Sequence, residues 1–124
     1  MFNINLFLSR MSKHFLNRFL GLLHSAKVKD IFRLFYKDDA TIYLNSDGLP
    51  IHNVSTEIMK NVLETCEILQ FRIENFIATE TTTAYKILTI TKDVENKITL
   101  AEHTITNNWN NNKIYKHHHQ ITTH

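Results

Sequence analysis

The stretch TAYKILTITKDVENKITLAEHTITNNWNNNKIYKHHHQITT, residues 83–123, decides the fold. It alternates apolar and polar residues through three runs, 83–92, 97–109 and 113–123, rich in Thr, Ile and aromatic side chains. Alternation of period two is the signature of half-buried strands. The runs are separated by DVEN and NNN, short hairpin turns in which Asn tolerates positive φ. Just upstream, ILQFRIENFIAT (68–79) alternates in the same way, with a change of face near Phe76 that predicts a bulge. The C-terminal half is therefore a four-stranded antiparallel meander.

Working outward, the pattern changes period. SKHFLNRFLGLLH, 12–24, places Phe15, Leu16, Phe19, Leu20, Leu22 and Leu23 at helical spacing, with Ser12 as N-cap. VKDIFRLFY repeats the stripe with Val28, Ile31, Phe32 and Phe35. Thr41–Leu44 reads as a short strand closed by the turn NSDGLP, and Ser55–Cys66 reads as a third helix with Ile58, Met59, Val62 and Leu63 on its apolar side. Helices segregated from an antiparallel sheet define an α+β domain of one layer on another.

The chain has 124 residues, 43% hydrophobic and 21% charged, with two glycines and one proline, which fits one globular domain rather than a disordered chain. Residues 1–11 read as a loosely structured leader, with Met11 a second possible start, and residues 12–124 as the domain. A net charge of +2 with dispersed Lys and Arg argues against a nucleic-acid partner. The apolar run near the start is too short to span a bilayer, so no membrane is implied. One cysteine, Cys66, excludes an internal disulfide and fits the cytoplasm.

Two stretches carry a resemblance. FYKDDATIYLNSDGLPIHNVSTEI (35–58) is similar to a helix end, DDA, strand, turn and new helix found in the SnoaL-like and ketosteroid-isomerase-like branch of the nuclear transport factor 2 (NTF2-like) superfamily. WNNNKIYKHHH (109–119) resembles its Trp, tight turn and His-bearing last strand. The resemblance implies an NTF2-like cone: three N-terminal helices packed on a curved antiparallel sheet around an internal cavity. It implies a homodimer paired through the outer sheet face, and a small apolar ligand handled by isomerase, cyclase or hydratase chemistry. No cofactor is implied. The ketosteroid isomerase acid–base residues do not carry over: the matching positions are Leu20, Leu44 and Ile105, a late-strand acid falls at Thr122, and the family's glycine before the third helix falls at Asn53.

The histidines remain. On the last strand, alternation puts Tyr115, His117, His119 and Ile121 on one face, the less polar and so the inner one, with Lys116 and His118 on the other. If Asn110–Asn112 form a three-residue loop, Trp109 pairs with Lys113, His103 lies opposite His119, and Ile105 lies opposite His117. His119 and His103 are then the acid–base candidates, with Phe15, Phe19, Leu44, Ile58, Trp109, Tyr115 and His117 lining the ligand site. A metal site is not expected, because no Asp or Glu is placed to support the rings. Histidines hydrogen-bonded in place without chemistry are the other reading. Asp38 and Asp39 read as solvated or capping groups, Glu102 as outward-facing, His52 as part of a turn. A cavity with His103 and His119 converging on it favours a ligand; filling of that space by Phe15, Phe19 and Trp109 favours a non-catalytic homodimeric module.

Overall fold

The computed structural model describes residues 13–46 and 52–124. Helices α1 (Lys13–His24) and α2 (Val28–Phe35) are followed by strands β1 (Tyr36–Ser46) and β2 (His52–Ser55), helix α3 (Thr56–Leu63) and strands β3 (Glu67–Ala78), β4 (Thr82–Lys92), β5 (Ile98–Asn110) and β6 (Lys113–Thr123). The expected leader and most of the NSDGLP turn lie outside the described residues. No helix among the described residues is long and apolar enough to cross a membrane.

The six strands form one sheet in the order β2-β1-β6-β5-β4-β3. The meander is antiparallel throughout, as the alternation requires. The sheet as a whole is mixed, however, because β1 runs parallel to β6. This corrects the fully antiparallel sheet expected from sequence: β1 reaches β6 through the intervening helix and meander, and no local pattern signals such a distant pairing. β1 also begins at Tyr36, not Thr41, taking in the polar Lys37–Asp39 where its register on β6 shifts. His52 belongs to a strand, opposite Leu44, and not to a turn.

The expected bulge in β3 is present, with Asn75 at φ 57° and a register shift between Glu74 and Ile77. Helix α3 starts where Ser55 Oγ accepts the Ile58 amide at 3.2 Å, a side-chain N-cap. The buried Thr56 hydroxyl donates to the Asp38 carbonyl at 2.8 Å and ties α3 to β1. Lys113 Nζ donates to the Leu34 carbonyl at 2.7 Å, a cation at the C-terminal end of α2.

The core lies between the helices and the inner face of the sheet: Phe19 and Leu23 of α1, Ile31, Phe32 and Phe35 of α2, and Tyr85, Ile87, Ile105, Trp109 and Ile114 of the meander. Phe19 is fully buried and meets Trp109 edge-on at 5.1 Å and Phe35 at 5.4 Å, both favourable arrangements for aromatic quadrupoles.

Candidate functional site

β5 and β6 bring the histidines together. Their turn has only two residues, Asn111 and Asn112, at φ 53° and 65°, with Asn110 opposite Lys113. Positive φ at both central residues is the primed hairpin turn that matches strand twist. A bulge follows, because Trp109 pairs with Ile114 but Asn108 pairs with Lys116, leaving Tyr115 unopposed. Beyond it, Asn107 lies opposite His117, Ile105 opposite His119 and His103 opposite Ile121. The expected pairs are therefore two residues out of register. An even displacement keeps every residue beyond the bulge on its face, so His103, His117 and His119 still share the inner one.

They form a chain rather than a cage. His103 Nε2 lies 2.9 Å from Thr89 Oγ1, and His103 Nδ1 lies 2.6 Å from His119 Nε2. His119 Nδ1 lies 2.9 Å from His117 Nε2. His117 Nδ1 ends the chain 2.7 Å from Asn107 Oδ1 and 2.6 Å from the Tyr36 hydroxyl. Asn107 continues the network, its Nδ2 donating to Tyr85 at 3.0 Å and to Thr83 at 3.4 Å, while the Trp109 indole N–H donates to Thr83 at 2.9 Å. His117 and Asn107 are buried; His103 and His119 are half-buried.

The electrostatics follow from burial first and then from the closeness of the rings to one another. Burial, then the neighbouring His118 and His103, lowers His117 to about 3. Burial, then His117 and His103, holds His119 well below the ordinary imidazole value, and burial lowers His103. Burial raises the Tyr36 phenol, helped by Tyr85, and raises Tyr85 against the lowering effect of its bonds to Asn107 and Tyr36. The resting site is three neutral imidazoles between protonated phenols and a threonine hydroxyl. Neutral imidazole accepts a proton at one nitrogen and holds one at the other, which is what general acid–base chemistry requires. A metal is a different matter. Both nitrogens of His119 are committed to neighbouring rings, and among the described residues no group of three His, Cys, Asp or Glu is placed to hold a metal ion.

The other expected site residues divide. Leu44 is half-buried in β1 and pairs with His119 in register. Phe19 and Trp109 are buried against one another and fill the inner face at the Phe35 end. Tyr115, expected inward, is the bulged residue and is 38% exposed; Ile58 is 53% exposed on α3. Both are corrected from lining residues to surface ones. The Phe15 side chain lies outside the described residues. Asp38 and Asp39 are exposed, and Glu102 pairs with Lys86 at 3.1 Å on the outer face. A groove of about 320 Å3 between α2, the end of α3 and β3, lined in part by Lys27, Leu63 and half-buried Cys66, has none of the histidines in its lining.

Sequence reasoning missed Asn107, Thr89, Tyr85 and Tyr36. The first three were detectable, since each occupies an inward position in its own alternating run: Tyr85 and Thr89 with Ile87, and Asn107 between Ile105 and Trp109.

Comparison with solved structures places this architecture. A protein from Mesorhizobium loti assigned as a SnoaL-like polyketide cyclase superposes with a TM-score of 0.69 at 13% identity, over 86% of this chain and 95% of that one. An assigned isomerase from Rhodopseudomonas palustris gives 0.66 at 11%, over 90% and 91%. An LEH-like epoxide hydrolase from M. tuberculosis gives 0.59 at 11%, over 87% and 80%. No family model matches the sequence, and no curated protein matches it. The molecule is an α+β domain with a six-stranded mixed sheet. Its fold is the NTF2-like one, in the form shared with SnoaL-like proteins.

Proposed function

We propose that this chain is a cytoplasmic small-molecule-binding domain that takes an apolar ligand at the inner sheet face, with His103 as its acid–base group and His119 as the ring hydrogen-bonded behind it. The observation that carries this reading is the 2.6 Å contact between two half-buried neutral imidazoles on that face. Both lie beyond the region that Phe19 and Trp109 fill. A neutral imidazole able to gain a proton while its neighbour holds one suits isomerisation, cyclisation or hydration, each needing a proton removed and another returned. The similar structures include an assigned cyclase, an assigned isomerase and an epoxide hydrolase, three chemistries of that kind. Fold alone does not choose among them.

The test is to titrate a panel of small apolar ketones and epoxides into labelled protein while following the imidazole signals. A ligand of this site shifts His103 and His119 together and loses affinity in His119→Ala. If no compound moves either ring, the reading fails.

A second reading is favoured by a different face. On the outer side of β4 and β5, Leu88 and Ile90 lie beside Leu100 and Ile98, which are 48% and 56% exposed. An apolar patch of this kind suits pairing with a second copy, making the chain a homodimeric interaction module. Sedimentation equilibrium of wild type and Leu100→Glu separates the readings: a dimer abolished by the substitution, with no ligand response, supports the module.

A further inference from the structure

We infer that Asn107 and His117 are positioning residues that set the direction of the whole imidazole chain, and so determine that His103 Nε2 is its basic end. The inference deepens the acid–base reading above and rests on it for its functional meaning, though its geometry stands alone.

Asn107 is fully buried, and its amide nitrogen faces two hydroxyl oxygens, those of Tyr85 and Thr83. Its carbonyl oxygen therefore faces His117 Nδ1 at 2.7 Å. A carboxamide oxygen only accepts, so the Nδ1 of His117 carries the hydrogen and donates it. The Tyr36 hydroxyl fits the same assignment, donating its own hydrogen to Asn107 Oδ1 at 3.3 Å and sharing the His117 N–H at 2.6 Å.

Each later step is forced by the one before, since the hydrogen bond at one ring nitrogen decides the state of the other. Neutral His117 has one hydrogen, so its Nε2 is a lone pair and accepts from His119 Nδ1–H. His119 Nε2 then accepts from His103 Nδ1–H. His103 Nε2 is left as a lone pair, receiving the Thr89 hydroxyl hydrogen at 2.9 Å. The reverse direction would set a lone pair of His117 against the carbonyl oxygen of Asn107, two acceptors 2.7 Å apart.

The chain is thus closed at Asn107, whose oxygen takes no proton near neutral pH, and open at His103. A proton arriving from a ligand enters at His103 Nε2, displacing the Thr89 hydrogen bond. His103 Nδ1–H then donates more strongly to His119, so the response to charge passes down the chain without any hydrogen leaving it.

The experiment uses ligand-free, nitrogen-15-labelled full chain near neutral pH, with long-range proton–nitrogen correlation to read the protonated nitrogen of each ring. The expected result is Nδ1–H on His103, His117 and His119. Nε2–H on His117 or His103 overturns the inference. Tyr36→Phe must leave all three assignments unchanged, whereas a chain polarised by the tyrosine would reverse. In Asn107→Leu the His103 nitrogen signals move towards the opposite tautomer although two rings intervene, a shift that packing loss alone does not cause. Unchanged His103 signals there overturn the inference too. Should that variant not fold, the wild-type and Tyr36→Phe spectra decide. A failed ligand search leaves these assignments intact, and reversed assignments leave ligand binding intact, so the two readings fail separately.

Discussion

The inner face of β5 and β6 has two ends built on opposite principles. At the Trp109 end, Phe19, Phe35 and Trp109 meet edge to face, and the indole N–H is satisfied by Thr83. At the His119 end, on the same two strands, the contacts are nitrogen to nitrogen and every polar atom depends on its neighbour. The first end gains from buried area, edge-to-face contacts and a hydrogen bond between groups that do not titrate, so it tolerates changes of pH. The second gains only while the network is complete, because a half-satisfied buried network costs more than an apolar one. One hairpin therefore holds a rigid plug and a titratable chain, separated by the bulge at Tyr115.

The sharpest way to break the comparison is at the plug. Phe19→Ala removes a fully buried ring, and the expected loss is about 3–5 kcal/mol, measured by chemical denaturation. That loss should be the same at pH 7.5 and pH 6.5.

Acid attacks the other end. In the folded state His117 titrates at about 3, against an ordinary value of 6.5. Between those values the unfolded chain binds the extra proton and the folded chain does not, so stability falls as pH drops below about 6.5 and is unaffected above it. The slope approaches about 1.4 kcal/mol per pH unit for this ring. His119 and His103, lowered in the same direction, add to it. Denaturation curves that coincide between pH 7 and pH 5 would show that the rings are not held neutral.

The smallest effect belongs to the outer face. Lys86 and Glu102 are each about a third exposed at 3.1 Å, and Lys86→Ala is expected to cost about 0.2–1 kcal/mol. It should leave the imidazole signals of the inner face unmoved.

Much of this was legible because period-two alternation survives local error. The last strand runs from Lys113 to Thr123, as the pattern predicts, and His103, His117 and His119 are coplanar in the sense that matters, all facing inward. Their partners were misread by two steps. A two-residue turn replaces the expected three-residue loop and shifts the pairing by one; the bulge shifts it by one more. The face of His117 and His119 follows from alternation within β6 and is untouched by either shift. An even total keeps His103 on the same face, and Tyr115 departs because the bulge interrupts the alternation there. Asn107 was legible only as an inward position between Ile105 and Trp109, since nothing in the sequence marks a lone inward Asn as the partner of a histidine. The parallel contact of β1 with β6 left no trace, since its hydrogen bonds depend on packing between distant segments rather than on any pattern within either.

Tyr115 pairs with nothing across the ladder, so the chain holds one residue there that alignment of the strands does not use. Deleting it would join Ile114 to Lys116 and leave Asn108, Asn107 and Ile105 with their present partners. Deleting His118 instead would turn His119 outward and bring Gln120 in. Position 115 is therefore a place within the strand where one residue can be lost without turning the histidines.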